Sequence, residues 1–189
     1  MWDSIIKPTL VLFLVCATIT GSLAFVNRAT SGVIEQRTKA EQEEFRKQLL
    51  GKADSFEQIT LNFDNPAVKD VYAGYNTEGL AGYVVNVAAK GYGGDINIVV
   101  GVDNNGAVTG IIIGDNGETP GLGTKALEPD FINQFYEVGI NDELTVVKQN
   151  KKSANEIQAV SGATVTSRGV TQGVQTALDI TKKLMEEGN

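Results

Sequence analysis

The chain has 189 residues, 42% hydrophobic and 21% charged, with 21 Gly against 4 Pro, which bounds it to about one globular domain plus accessory segments, rich in tight turns. A net charge of −7 argues against a nucleic-acid partner, which calls for a basic face. With no His and a single Cys, Cys16, the sequence excludes a His-ligated metal, a His general base, a thiolate iron–sulfur cluster and a disulfide framework, so any redox chemistry falls to an organic cofactor.

Residues 8–26 carry no charge. As a helix such a run rises about 28 Å, close to the hydrocarbon thickness of a bilayer. A signal peptide has a shorter apolar core and ends in an A-x-A-like site. Ser22-Leu23-Ala24 is a poor one, so a retained single-span anchor over residues 1–27 is expected. Lys7 and Arg28 flank the run on opposite sides, and the positive-inside count is nearly a tie. Residues 28–54 read as a stalk, polar and helical until Gly51, which can end a helix. Its apolar stripe is thin: Val33, Ile34, Phe45, Leu49 and Leu50. A solvated stalk and a helix packed on partner subunits fit that pattern equally.

Residues 55–189 read as one domain. From about Phe56 the pattern becomes β-like. Residues 71–75 and 80–88 are expected strands joined by the turn Asn76-Thr77-Glu78-Gly79, a hairpin. After Gly91-Tyr92-Gly93-Gly94, residues 96–102 form the next strand. Asp103-Asn104-Asn105-Gly106 turns the chain, and residues 108–113 return. Beyond Lys125, the spacing of Leu127, Phe131, Ile132, Phe135 and Tyr136 predicts a short helix packed on the sheet. Residues 144–148 read as a strand. Val170, Val174, Ala177, Leu178, Thr181, Leu184 and Met185 fall on one stripe of a final helix.

Two loops carry chemistry. In Ser161-Gly162-Ala163-Thr164-Val165-Thr166-Ser167 the hydroxyls cluster at the start of that final helix. There the first backbone N–H groups lack partners and the macrodipole is positive, which suits a phosphate or another anion. Ser and Thr are also ordinary N-caps, although one cap does not need so many hydroxyls. In Glu118-Thr119-Pro120-Gly121-Leu122-Gly123-Thr124-Lys125, Pro-Gly is a strong turn signal. Glycine lets backbone approach a ligand closely, and a hydroxyl and a Lys beside it can serve a phosphate or a ring carbonyl. Such loops are also common turns.

Ser161-Gly162-Ala163-Thr164, followed by a hydrophobe and Thr166, resembles the covalent flavin-attachment motif of the FMN-binding domain family. That family includes the G subunit of the Rnf ion-translocating electron-transport complex and the C subunit of the sodium-pumping NADH:quinone reductase. Glu-Thr-Pro-Gly-Leu-Gly, some forty residues earlier, is similar to the second half of the family's paired signature. Gly91-Tyr92-Gly93-Gly94 also resembles it. There are two departures. Gln158 stands where the family often has Asp, and Asn116 where it often has His.

The resemblance implies FMN joined through a phosphoester to Thr164 by a flavin transferase, with Thr166 the lesser acceptor. It implies that Ser161, Gly162, Ala163 and Thr166 shape the phosphate end. Thr119, Gly121, Leu122, Gly123, Lys125 and, more weakly, Glu118 then contact the flavin or its ribityl chain. No catalytic acid–base pair and no metal is expected. The short length favours an electron carrier of the Rnf type, partnered by the other complex subunits, with its N-terminus cytoplasmic and its main domain extracytoplasmic. The alternatives are the flavin-bearing member of the quinone reductase and a free-standing extracytoplasmic flavodomain reductase. A flavin-free assembly domain is a third, and Gln158 and Asn116 are its only hints. The expected fold class is α+β: an antiparallel sheet with packed helices, preceded by one transmembrane helix and a polar helical stalk.

Overall fold

A computed structural model describes residues 2–60 and 65–187. The chain divides into two compact units, Met1–Glu43 and Glu44–Asn189. The first holds most of helix α1, Lys7–Leu49, whose residues from Glu44 on belong to the second; the helix follows a π-helical turn, Trp2–Ile6. The helix is continuous through the expected junction between anchor and stalk, because no Pro or capping sequence interrupts it there. Its apolar part is exposed all round, as at Leu12, Phe13, Leu23 and Phe25. A stretch of it has a mean hydropathy of 2.3, and the helix is long and apolar enough to cross a membrane. Thr9, Thr18 and Ser22 donate their hydroxyls to carbonyls four residues back, at 2.7–2.8 Å, so these polar groups need no water.

The second unit is a five-stranded antiparallel meander in the order β1-β2-β3-β4-β5. The strands are β1 Ser55–Gln58, β2 Val68–Asn76, β3 Gly79–Lys90, β4 Asp95–Asp103 and β5 Val108–Asn116. The turn chemistry sets the register. Asn76 Oδ1 accepts the Glu78 amide, and Asp103 Oδ1 accepts the amides of Asn105 and Ala107, each at 2.9 Å. Val85 then sits between Val71 and Val100 across the three central strands.

Both faces of the sheet are covered, so β3 and β4 are buried almost continuously rather than on alternate residues. On one face lies helix α3, Thr164–Glu187. It buries Val170, Val174, Ala177 and Leu178 completely, each larger side chain contributing about 1.5–3 kcal/mol. Thr181 is tolerated in this stripe because its hydroxyl donates to the Ala177 carbonyl at 2.9 Å. The helix approaches closely at Gly169, where a Cβ would strike the Lys90 carbonyl. The other face is covered where α1 ends, within the second unit: Leu49 and the next residue, Leu50, pack on Val84 and Val99. The Arg46 guanidinium lies 4.2 Å from the Tyr72 ring centroid, and Thr109 donates to the Leu49 carbonyl at 2.6 Å.

One expectation is corrected. The short helix after Lys125 is three separate turns: a 3₁₀ turn Gly123–Leu127, the one-turn helix α2 Pro129–Ile132, and a 3₁₀ turn Asn133–Glu137. Extended Glu128 before Pro129 breaks the run, yet Phe131 and Phe135 still meet edge to face at 5.5 Å. The strand expected over residues 144–148 is present as β6, Thr145–Val147, in a second sheet of two strands. It pairs in parallel with β7, Glu156–Gln158, and so brings Ile157 into the core.

Candidate functional site

The two chemistry-bearing loops meet at the N-terminal end of α3. The chain leaves β7 through Val160 and turns at Gly162, whose φ of +82° favours glycine. Ala163 takes the helix-cap position: its carbonyl accepts the Ser167 amide at 2.9 Å. An alanine there has no side-chain oxygen to offer the first-turn amides, so they remain available to a ligand. The hydroxyls separate into different tasks. Ser167 is buried, accepting the Val160 amide at 3.1 Å and donating to the Ala163 carbonyl at 2.9 Å. Thr166, 1% exposed, donates to Glu118 Oε2 at 2.7 Å. Ser161 is exposed, and Thr164, first residue of the helix, is half-buried and faces a cleft.

Glu118 organises this corner. It is 6% exposed. Besides the Thr166 hydroxyl, its carboxylate accepts the amides of Tyr92 and Gly93 at 2.8 and 3.1 Å. Charge-assisted bonds of this kind are stronger than neutral ones. One side chain therefore ties the 91–94 loop to the loop after β5 and to the first turn of α3. Asn116 helps to aim it, since its Oδ1 accepts the Glu118 amide at 3.2 Å.

The cleft above this clamp has a volume of about 340 Å³ and is lined by residues 92, 118, 119, 122, 123 and 162–166. Of the residues singled out in the sequence, Glu118, Thr119, Leu122, Gly123, Gly162, Ala163, Thr164 and Thr166 come together here. Lys125 and Ser161 line an adjoining cleft with Gln158. Gly121 lines neither cleft; its amide donates to the Thr124 hydroxyl at 2.9 Å, holding the turn. Sequence reasoning missed Tyr92 and Val165 as cleft residues. Tyr92 carried a signal, as the one aromatic in a glycine loop similar to the family's. Val165 carried none beyond its place between two threonines. The cleft can receive an anion at the open amides of α3. It also offers an apolar surface from Leu122 and Val165, 48% and 51% exposed, to a planar group.

Comparison with known proteins follows the same geometry. The FMN-binding domain matches residues 91–179, a span containing every residue that lines the cleft. The G subunit of the Na⁺-translocating ferredoxin:NAD⁺ oxidoreductase complex of Acetobacterium woodii is 33% identical over 196 aligned residues, covering 97% of this chain and 94% of that one. The chain belongs to the G-subunit family of ion-translocating oxidoreductase complexes, with an FMN-binding domain. A second G-subunit relative, from the proton-translocating ferredoxin:NAD⁺ oxidoreductase complex of Clostridium ljungdahlii, is 36% identical and covers 94% of this chain and 91% of its own. The fold of this G-family member is shared with the C subunit of the Na⁺-translocating NADH-quinone reductase of Parabacteroides distasonis. That structure aligns at a TM-score of 0.60 and 19% identity, over 80% of this chain and 96% of its own.

The chain's own residues fit FMN. An ester phosphate matches the open first-turn amides beside a hydroxyl, and the flavin ring matches the apolar rim.

Proposed function

We propose that this chain is the membrane-anchored electron-carrier subunit of an Rnf-type ion-translocating ferredoxin:NAD⁺ oxidoreductase complex, and that it carries FMN on Thr164 through a phosphoester. Bound FMN supplies one- and two-electron redox chemistry. The observation that carries the reading is the division of labour between two threonines. Both threonines line the cleft, but Thr164 is half-buried at the first position of α3, whereas the Thr166 hydroxyl is buried and engaged by Glu118. The threonine whose hydroxyl is not taken up by Glu118 is the acceptor.

The phosphate end is held by the turn at Gly162 and Ala163 and by the first-turn amides of α3, whose dipole favours a negative charge. Thr119, Leu122 and Gly123 form the wall on the flavin side. Glu118 and Thr166 position that wall against the helix. Lys125 on the flavin side and Ser161 at the phosphate end add to these contacts from the adjoining cleft. An ester makes loss of the cofactor chemically slow, which matters for a domain facing a space without an FMN supply. A flavin transferase makes the ester, and the remaining subunits of the complex are the lasting partners.

Residues 1–27 form the anchor, with the N-terminus cytoplasmic; residues 28–54 form the stalk; residues 55–189 form the extracytoplasmic FMN-binding domain. The G-subunit relatives align over most of both lengths, which favours this reading over a quinone reductase component or a free-standing reductase.

The test is the intact mass of the denatured full-length protein, produced with a flavin transferase and then peptide-mapped. A gain of one FMN less one water, located at Thr164, is the expected result. An unmodified mass, with an authentic Rnf flavin protein modified in parallel, overturns covalent attachment.

A further inference from the structure

Gln134 brings both ends of its carboxamide onto the backbone of one residue. Its Oε1 accepts the Gln158 amide at 2.8 Å, and its Nε2 donates to the Gln158 carbonyl at 3.1 Å. Gln158 ends β7 and leads, through Ala159 and Val160, straight into the attachment turn. The small sheet has two strands, β6 and β7, and two strands alone are marginal in water. On one side of β7 the Ala159 amide donates to the Val147 carbonyl at 2.8 Å. On the other, the Gln134 carboxamide stands where the peptide of a third strand would.

The clamp is firmly mounted. Gln134 lies on the 3₁₀ turn Asn133–Glu137, between Phe131 and Phe135, both buried. The far side of the attachment turn is held separately, by Ser167 on Val160 and by Thr166 on Glu118. With the Gln158 backbone engaged, its exposed side chain is left to line the adjoining cleft with Lys125 and Ser161.

We propose that Gln134 is a positioning residue for flavin attachment: by clamping the Gln158 backbone it holds the entry to the attachment turn in the conformation that the flavin transferase binds. The inference rests on the attachment reading above. Attachment exchanges the phosphoanhydride bond of an FAD donor for the Thr164 ester, releasing AMP and a proton. A turn that holds its competent shape only part of the time binds the enzyme more weakly in proportion to that fraction. The transfer step, once the turn is bound, is unchanged. Loss of the clamp therefore raises KM for this protein and leaves kcat.

The experiment uses the full-length protein in detergent as the substrate of a flavin transferase supplied with FAD. Peptide mapping locates the adduct, and in-gel flavin fluorescence gives initial rates. Gln134→Met keeps the length of the side chain and loses both bonds. It is expected to raise KM several-fold at unchanged kcat and to speed hydrogen exchange in the peptide that holds Gln158. Gln134→Glu keeps an acceptor for the Gln158 amide but no donor for its carbonyl, and falls between the parent and Gln134→Met. Leu184→Ala, which destabilises the core at the far end of α3, keeps the parent's KM. A parent protein without the adduct at Thr164 overturns the attachment reading and this inference with it. With the parent modified, an unmoved KM in Gln134→Met overturns the role of Gln134 alone. So does unmoved hydrogen exchange at Gln158, which would mean that the clamp is not made in solution. A KM raised equally by Leu184→Ala also overturns it, since the effect would then be one of stability.

Discussion

Glu118 and Thr166, 48 positions apart in sequence, share a buried 2.7 Å hydrogen bond that locks the loop after β5 onto the first turn of α3. The same carboxylate takes two amides of the 91–94 loop. Glu118→Ala strips three donors of their acceptor at once and is expected to cost about 2–4 kcal/mol, because buried donors left unpaired are expensive. Glu118→Gln costs less, since its carbonyl can keep some of the bonds. Urea midpoints measure both. A double-mutant cycle with Thr166→Val is expected to show non-additivity of about 1 kcal/mol or more; strict additivity would mean that the bond is not made in solution.

The two threonines of the attachment turn give opposite outcomes. Thr164→Val is expected to abolish the FMN adduct with little change in stability. Thr166→Val keeps the adduct but loses about 1 kcal/mol, the worth of one internal hydrogen bond. Thr164→Ser keeps a hydroxyl at the same place and is expected to be modified. In-gel flavin fluorescence and intact mass read the result, and an adduct that persists in Thr164→Val but vanishes in Thr166→Val would reverse the assignment.

Backbone room is the next dependence. Gly162→Ala places a Cβ where φ is +82° and where Leu122 Cδ1 is 2.9 Å away. The left-handed conformation costs an alanine roughly 1–2 kcal/mol, so slower FMN incorporation is expected. Gly169→Ala acts on the fold instead. Its Cβ meets the Lys90 carbonyl, a backbone atom that cannot swing aside, and overpacking of this sort costs about 1–3 kcal/mol. Transfer kinetics for the first variant and thermal midpoints for the second separate the two effects.

Stability also depends on alkaline pH through Tyr83. Burial, and secondarily the neighbouring Tyr75, hold the Tyr83 phenol above its ordinary value of 10.0. The unfolded chain therefore gives up this proton first as pH rises. The contribution is complete below pH 10.0 and is lost as pH climbs through the raised folded value. Urea midpoints should fall above that pH, and Tyr83→Phe should flatten the decline. An unchanged slope in Tyr83→Phe would place the alkaline sensitivity elsewhere.

Much of this was legible in the sequence, for local reasons. The strands β2 to β5 announced themselves as short apolar runs between Asn- and Asp-led turns, whose side chains do cap the following amides. The stripe from Val170 to Met185 marked the buried face of α3 because that face packs on one sheet. The turns after Lys125 misled, since the apolar spacing runs on from Leu127 to Tyr136 while the residue before Pro129 is held extended and cuts Leu127 off from the rest. The partner of β6 was hidden because two three-residue strands carry little pattern. At the site, the motif pointed to Thr164, but nothing local says that Thr166 turns inward. That follows from a carboxylate brought across by the fold, and the placement of Tyr92 follows from the same group.

The meander forms by successive hairpins, each pairing neighbours in the chain, and local contacts of this sort assemble early. The attachment turn is different in kind. It exists only when α3, which runs to Glu187, lies on the finished sheet and Thr166 has reached Glu118. If FMN is attached at Thr164 as proposed, the attaching enzyme would find its target only on chains that have completed their fold, and the cofactor would mark correct assembly.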